Sequence, residues 1–555
     1  QESGETGNIK TIIPDISDKY LEKLEIIKGE LLINTQDKDE IEVAQSIGIE
    51  VNPYNITEDG VLVSSNGNLL LMDETGTLVL PDRVTAIGEG AFANLNGLKT
   101  IVIPGTVKKI GNHAFSYNTT LETVIMQEGV EVIGGAAFEQ CSNLKNVEFP
   151  DSLTQIGTQA FYDCVNLQKV EIPSKVKTME SYVFGNCLQL NEITLPGGLE
   201  EIQAQSFMNT SFSKIEIPST VVSIKGNAFE GNKKLNNIII KGNSPYIYES
   251  GMLMPKEKDE IIFISNSYLQ GITKLEIPNG VVNFNTSISP YTNIKELVIP
   301  DTVQTIYSSR LPESISNIEI VGNNSKYAVS DEYKILYTKD TKELITCFSK
   351  DETINLKNID EVSILAEYSF KQATNAKTII LPDLVTYIRS FSFSSNLKNL
   401  QEIKIGKNVT YISPLFKYEN YKGKVTIDSE NKTYTIENDI IYSKNKKTLI
   451  CVLYKITGKF EIVDTVENIG GQAFHNQNGM TEVIIPNTVK TIGQSFWYCS
   501  KLTSIEIPSS VESIDLECFS QCPNINKIIV NKGENEITGA PWGATKGMKV
   551  VEWRG

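Results

Sequence analysis

The sequence predicts an α/β-type solenoid of about 19 stacked turns, with one parallel sheet along its inner face. Three observations predict this fold: phenylalanine recurs at a constant spacing, an apolar-x-apolar-Pro segment recurs with it, and short hairpin-like segments interrupt the pattern. The spacing is 23 residues in the clearest part of the chain, and the last interval is 22. These phenylalanines are Phe92, Phe115, Phe138, Phe161, Phe184, Phe207 and Phe229.

The repeating unit consists of a short strand followed by residues that fill a core. In the copy that ends at Phe115, residues 101–103 alternate as in a strand with two side chains facing inward. Pro104 ends this strand because proline cannot donate to a ladder. We expect Gly111 to form a tight corner and Ala114 to leave room for the phenyl ring. One unit alone cannot bury this apolar face, so the units must stack.

Four segments interrupt the repeats, and each has two alternating apolar runs around a polar turn, which predicts a β-hairpin. We expect these hairpins to project from a turn without ending the core. Trp542 and Trp553 near the C-terminus are interpreted as cap residues, with sugar stacking as the alternative. We predict an N-terminal cap or small separate module at 1–53, the solenoid at 54–534 with hairpins near 55–72, 243–265, 323–349 and 431–455, and a C-terminal cap at 535–555.

Charge restricts the possible partners. The chain has 68 acidic and 51 basic residues, a formal charge of −17. This argues against a general nucleic-acid binder and against an anionic membrane surface, since both require clustered basic charge. The longest apolar runs are too short for a transmembrane helix. The chain starts at Gln1 instead of Met, which we interpret as the loss of a targeting segment, although deliberate trimming would leave the same start.

The unit Ile-x-Ile-Pro-x-x-Val-x-x-Ile-Gly-x-x-Ala-Phe-x-x-Cys resembles the repeat of BspA-like leucine-rich-repeat surface proteins of bacteria. The resemblance covers roughly residues 55–555, including the hairpins and the ending Ala-Pro-Trp-Gly-Ala. It implies a right-handed leucine-rich-repeat solenoid that is exported and displayed on the cell surface. It also implies adhesion to host matrix proteins, host cells or other bacteria. It carries over no catalytic residues, and it indicates the fold better than the ligand.

Residue counts argue against an enzyme. The chain has two histidines, His113 and His475, which about 15 stacked turns would separate. A His-based triad or a multi-His metal site is therefore not expected. Phosphate-loop and dinucleotide motifs are also missing from the sequence. We predict no catalytic residue, no cofactor and no metal, although a carboxylate pair among the many acids stays open.

The cysteines recur in one position of the repeat. We interpret them as small apolar core residues with free thiols. A disulfide between neighbouring turns, either Cys141–Cys164 or Cys499–Cys522, is the alternative that export would permit. The cysteines three residues after a repeat phenylalanine are Cys141, Cys164, Cys187, Cys499 and Cys522.

The middle residue of each strand triplet points away from the core, and these positions form the candidate binding surface. Many are glutamates, which indicates either a solvated face or an acidic strip that meets a basic partner or calcium. Like charges on neighbouring strands repel, so Glu148 beside Glu171 should be well solvated or neutralised. The candidate residues are Glu148, Glu171, Thr194, Glu216, Glu276, Glu319, Glu461 and Glu506.

Aromatic side chains in the hairpins form a second candidate surface, although tyrosine is also an ordinary strand residue. We expect an exported cell-surface protein that binds a host or bacterial surface protein. The alternative is a carbohydrate-binding or cell-wall-associated module without catalysis. The hairpin aromatics are Tyr246, Tyr248, Phe263, Tyr327, Tyr333, Tyr337, Tyr434 and Tyr442.

Overall fold

The computed structural model describes nearly all of the chain from residue 73 onward and a few strands before it. Most of the expected N-terminal cap lies outside the described residues, so its nature stays a prediction. The described residues are 24–27, 30–33, 50–51, 55–56, 61–64 and 73–555, apart from 74, 81, 83, 96, 289–291, 394–396, 414, 416–420, 422, 535 and 545–546.

The structure confirms the solenoid: it is a parallel β-solenoid of about 20 turns with almost no helix. The chain divides into two compact units, one formed by 1–271 with 285–289 and the other by 272–284 with 290–555. A regular turn has a longer strand at the apolar triplet and a two-residue strand after it. Within the described residues the helical segments are the α-helix Asn266–Gln270 and the 3-10 turns Ser308–Arg310 and Gly547–Val550.

The strands of the first unit form two parallel ladders, each divided into shorter sheets, and a small N-terminal sheet. The register follows the repeat, since Thr123 pairs with Thr100 and with Asn146. The longer strands are Thr77–Val79, Thr100–Ile103, Thr123–Met126, Asn146–Glu148, Lys169–Glu171, Glu192–Thr194, Lys214–Ile217 and Asn237–Ile240. The shorter strands are Ala86–Ile87, Lys109–Ile110, Val132–Ile133, Gln155–Ile156, Thr178–Met179, Glu201–Ile202 and Ser223–Ile224, and the N-terminal sheet comprises Leu24–Ile27, Glu30–Ile33 and Glu50–Val51.

The second unit repeats this arrangement. Its longer strands are Lys274–Glu276, Glu296–Pro300, Asn317–Val321, Thr353–Asn355, Thr378–Ile380, Glu402–Ile405, Lys424–Ile427, Gly458–Glu461, Met480–Ile484, Ser504–Ile507, Lys527–Val530 and Val551–Trp553. Its shorter strands are Asn283–Phe284, Thr305–Ile306, Ile364–Leu365, Tyr387–Ile388, Tyr411–Ile412, Asn468–Ile469, Thr491–Ile492 and Ser513–Ile514. The last strand, Val551–Trp553, extends the longer ladder by pairing with Lys527–Val530.

The repeat phenylalanines stack on one another through the core. The ring centroids of Phe92 and Phe115 are 5.0 Å apart, and those of Phe115 and Phe138 are 5.1 Å apart with parallel planes. The stack continues through Phe161 and Phe184 at 5.2 and 5.5 Å. Because these rings are fully buried, each one removes apolar surface of two neighbouring turns from water.

Tight turns replace a helix on the side of each repeat that carries the phenylalanine. The residues two positions before and after the phenylalanine have left-handed backbone conformations, as at Gln159 (φ 59°) and Asp163 (φ 60°) around Phe161. The glycine that recurs after the short strand does not supply this corner. A Cβ on Gly157 would lie 2.6 Å from the backbone nitrogen of Gly135, so glycine is needed there for the close approach of neighbouring turns.

The expected hairpins are present as antiparallel strands, but they do more than project from a turn. In two of them a third strand leaves the antiparallel set and runs parallel to the next short strand: Glu343–Cys347 pairs with Ile364–Leu365, and Thr448–Val452 pairs with Asn468–Ile469. These hairpins therefore start new runs of the short-strand ladder. The hairpin strands are Asn55–Ile56 and Val61–Ser64; Tyr246–Glu249, Met252–Pro255 and Phe263–Ile264; Tyr327–Ser330, Ile335–Thr338 and Glu343–Cys347; and Tyr434–Glu437, Ile440–Ser443 and Thr448–Val452.

A buried asparagine attaches each of the two later hairpins to the preceding turn. The side-chain amide of Asn431 donates to the backbone oxygens of Gly406 and Val409, both at 3.1 Å, and its Oδ1 accepts from the backbone nitrogens of Thr433 and Tyr434. Asn324 makes the equivalent contacts. One side chain therefore satisfies backbone groups that the interrupted ladder would leave without partners.

We predict that Asn431→Ala destabilises the second unit by about 2–4 kcal/mol, because it leaves several buried backbone groups without a partner. Urea unfolding followed by circular dichroism measures the effect. Asn408→Ala is the matched control, since Asn408 is exposed and donates to a single backbone oxygen, of Asp383. Equal unfolding midpoints for the two variants would contradict the anchoring role of Asn431.

Candidate functional site

The candidate residues of the longer strands lie where the sequence placed them, exposed on the outer side of their ladders. We call this row of outward positions the strand face. Its side-chain exposure is high, at 70% for Glu171 and 68% for Glu276. The candidates Glu148, Glu171, Thr194, Glu216, Glu276, Glu319, Glu461 and Glu506 are all exposed.

Where the register is paired, it places an uncharged residue beside several glutamates of the strand face. Glu148 pairs with Ile125, and Glu216 with Ile239. Glu171 pairs with Thr194. In these pairs a branched apolar or neutral residue stands beside the acid, which avoids the repulsion that adjacent like charges would produce.

Lysines form ion pairs with four of the seven candidate glutamates that the sequence indicated as an acidic strip. In each case the lysine stands two residues earlier on the same strand. A strand turns alternate side chains to the same face, so Lys-x-Glu spacing is a signal that could have identified these lysines from the sequence. The pairs are Lys169–Glu171 at 3.0 Å, Lys214–Glu216 at 2.8 Å, Lys274–Glu276 at 3.0 Å and Lys459–Glu461 at 3.1 Å.

Some pairs also extend to the neighbouring strand. Lys169 lies 3.7 Å from Glu192, and Glu216 accepts a second lysine, Lys241, at 2.9 Å. The two lysines lower the pKa of Glu216 to about 2 through hydrogen bonding and charge. The strand face is thus a lattice of both charges with apolar residues between them. Since the pairs are exposed, each contributes little to stability.

The structure gives no support to calcium on the strand face. Among the described residues, no group of three or more His, Cys, Asp and Glu side chains is placed to hold a metal ion. His113 lies 3.6 Å from Glu139. His475 belongs to the other unit, where burial between aromatic rings lowers its pKa.

The hairpin tyrosines that begin each insertion act in the fold. Tyr246, Tyr327 and Tyr434 are buried. The hydroxyl of Tyr246 accepts from the backbone nitrogen of Ile224 at 2.7 Å, at the edge of the short-strand ladder. The hydroxyl of Tyr434 donates to the backbone oxygen of Thr410 at 2.9 Å. These hydroxyls bond backbone groups that the next short strand would otherwise pair with, so this part of the second candidate surface is structural.

All eight cysteines are buried, and none of them forms a disulfide. The thiols of Cys141, Cys164 and Cys187 each lie 3.2 Å from the backbone oxygen of the repeat phenylalanine one turn earlier. Asn118 and Asn232 occupy the same position and donate to the equivalent oxygen at 2.7 Å. The position therefore needs a small donor rather than only an apolar residue. Burial raises the pKa of Cys141 to about 12, which makes it a poor nucleophile.

The repeat is matched by a known family. Residues 74–187, 154–267, 345–457 and 451–546 match the family model described as BspA type Leucine rich repeat region (6 copies), and together they make up more than half of the chain. The chain belongs to the BspA-type leucine-rich-repeat family. The resemblance seen in the repeat motif is thereby confirmed.

This BspA-type protein is also similar to solved structures of leucine-rich-repeat proteins. A leucine-rich cell surface protein from Faecalibacterium prausnitzii is 20% identical, with 87% of this chain and 94% of that chain covered and a TM-score of 0.33. The pneumococcal vaccine antigen PcpA is 15% identical, with 77% and 93% covered and a TM-score of 0.34. The leucine-rich-repeat protein TpLRR of T. pallidum is 27% identical, with 31% and 78% covered and a TM-score of 0.26. Among curated proteins, none matches the chain significantly.

The BspA-type fold is a repeat surface suited to protein interaction and is typically not catalytic. Within the residues that the structure describes, no helix is long and apolar enough to cross a membrane.

The Glu216 cluster predicts a pH response. The folded pKa of about 2 lies below the ordinary value of 4.5, so the contribution of the cluster is complete above about pH 4.5 and is lost as the pH falls towards 2. Carboxyl NMR titration of the intact chain measures the midpoint. We expect replacement of both Lys214 and Lys241 by methionine to raise it by about 2 units, towards the unperturbed range. A midpoint unaffected by the replacement would show that the lysines do not lower it.

Proposed function

We propose that this BspA-type chain is an exported cell-surface protein that binds a protein of a host or neighbouring bacterial cell through its strand face. The observation that carries the proposal is the strand face itself, where exposed Lys–Glu pairs alternate with branched apolar side chains along parallel ladders. Adhesion and display on the cell are supported by the family and by the net charge of −17, which favours solubility.

The chemistry of the strand face favours a protein partner over a simple polycation. A purely acidic strip would attract any basic surface, but four of the glutamates form ion pairs with lysines. A partner must therefore offer both charges in a matching arrangement. Fixed rows of opposite charges give specificity more than raw affinity, and the intervening apolar residues, such as Ile239 and Ile484, add contact area.

An array of purified matrix proteins, bacterial surface proteins and glycans, probed with the intact chain, tests this function. We expect selective binding to a protein, and about tenfold weaker binding by the double variant Glu171→Gln and Glu216→Gln, a loss of about 1.4 kcal/mol. Both residues lie on the strand face in the first unit.

The matched control is the double variant Glu131→Gln and Glu200→Gln. These glutamates are exposed and ion-paired to Lys108 and Lys177, at 3.7 and 3.2 Å, but they lie outside the strand face. We expect binding by this control to equal that of the unmodified chain. Equal losses in the two double variants, or binding to a glycan and to no protein, would overturn the proposal.

A further inference from the structure

A cleft of about 490 Å³ lies beside the hairpin that begins at Tyr327, within the second unit. The hairpin forms one side, the turn at residues 305–309 forms another, and the turns that carry Glu367 and Arg389 complete it. Its volume falls within the range of about 300–1,000 Å³ that is typical of small-molecule sites. None of the strand-face candidates lines this cleft.

The repeat sequence departs from its pattern at this cleft. The residue after the short strand is glycine in many turns, as at Gly111 and Gly157. In the turns around the cleft the same position holds Tyr307, Ala366 and Arg389. Tyr307 is 51% exposed, so the repeat places an aromatic ring in an open position where packing does not require one.

Polar groups of both charges line the cleft together with this ring. Nε of Arg389 donates to Glu343 at 2.8 Å, and the guanidinium lies 5.7 Å from the ring centroid of Tyr387. The Oδ1 atom of Asp340 accepts from the backbone nitrogen of Thr341 at 2.8 Å. These contacts hold the charged side chains on the rim before a ligand arrives, which reduces the entropy lost on binding.

Contacts across the insertion keep the walls of the cleft together. The hydroxyl of Tyr327 accepts from the backbone nitrogen of Ile306 at 3.2 Å, and Nζ of Lys326 donates to the backbone oxygen of Gln304 at 2.7 Å. The Ser308 hydroxyl donates to the backbone oxygen of Tyr368 at 2.7 Å. The cleft is therefore formed by rigid elements that are already connected.

The mixture of groups points to an uncharged, hydroxyl-rich ligand. A phosphate or another polyanion would need a cationic site, but Asp340, Glu343 and Glu367 outnumber Lys326 and Arg389 here. A purely apolar ligand would displace water from these polar groups and offer no hydrogen bonds in exchange. A pyranose ring presents an apolar face of C–H groups and a rim of hydroxyls that both donate and accept.

We propose that this cleft is a carbohydrate-binding site in which a sugar ring stacks on Tyr307 and its hydroxyls bind Asp340, Glu367 and Arg389. The site is separate from the strand face, and the chain needs no catalytic group for it. Failure of the protein-partner proposal would leave this one standing, because different residues carry the two.

A glycan array probed with the intact chain identifies the sugar, and calorimetry with the bound oligosaccharide then measures affinity. We expect Tyr307→Ala to weaken binding at least about tenfold and Tyr307→Trp to retain it. The matched control is Tyr117→Ala, which removes a tyrosine of similar exposure, 46%, in the first unit. Circular dichroism and thermal unfolding establish that each variant is folded.

Loss of binding in Tyr307→Ala with full binding in Tyr117→Ala would support the site. Three results would overturn it: no glycan bound by the intact chain, a glycan bound equally well by Tyr307→Ala, or a basic peptide that occupies the cleft in preference to every glycan. None of these results depends on whether the strand face binds a protein.

Discussion

Stacking of the repeat phenylalanines is the interaction on which the rest of the structure depends. Rings about 5 Å apart, such as Phe115 and Phe138, fit the spacing of neighbouring strands, so aromatic stacking and backbone pairing impose the same rise on each turn. The other features of the repeat serve this rise. Gly157 permits the close approach of two backbones, and the thiol of Cys164 donates a hydrogen bond to a backbone oxygen of the turn before it.

The same register determines how side chains are arranged on the surface. Because every turn repeats its neighbour in position, an outward residue becomes part of a row, and single side chains become ladders of charge and apolar contact. The hairpins break this regularity. Asn431 and Tyr434 end one run of the ladder, and the third strand of the hairpin starts the next one. Departures from the repeat, such as Tyr307, stand beside such a break and line a cleft that a regular stack would not form by itself.

The sequence was sufficient for the features that the period determines: the strands, the buried phenylalanines, the outward positions and the places of the hairpins. It was misleading where one residue type can serve two purposes. Glycine after the short strand suggested a corner, yet left-handed residues such as Gln159 form the corners. Lys214 and its equivalents partly neutralise the predicted acidic strip. The alternation of a strand also places these lysines, two residues before the glutamates, on the same face, so the sequence contained the signal. The cleft at Tyr307 could not be predicted, since it joins residues from an insertion and from turns on both sides of it.

The most direct test of the account is native-state hydrogen exchange on Phe161→Ala. Removal of this buried ring should cost about 3–5 kcal/mol, and in a stack stabilised by nearest-neighbour contacts the loss should be local. We predict that backbone amides near Phe138 and Phe184 lose most of their protection, whereas those near Phe92 lose much less. An even loss of protection along the first unit, or no loss beside residue 161, would contradict the claim that phenylalanine stacking holds each turn to the next.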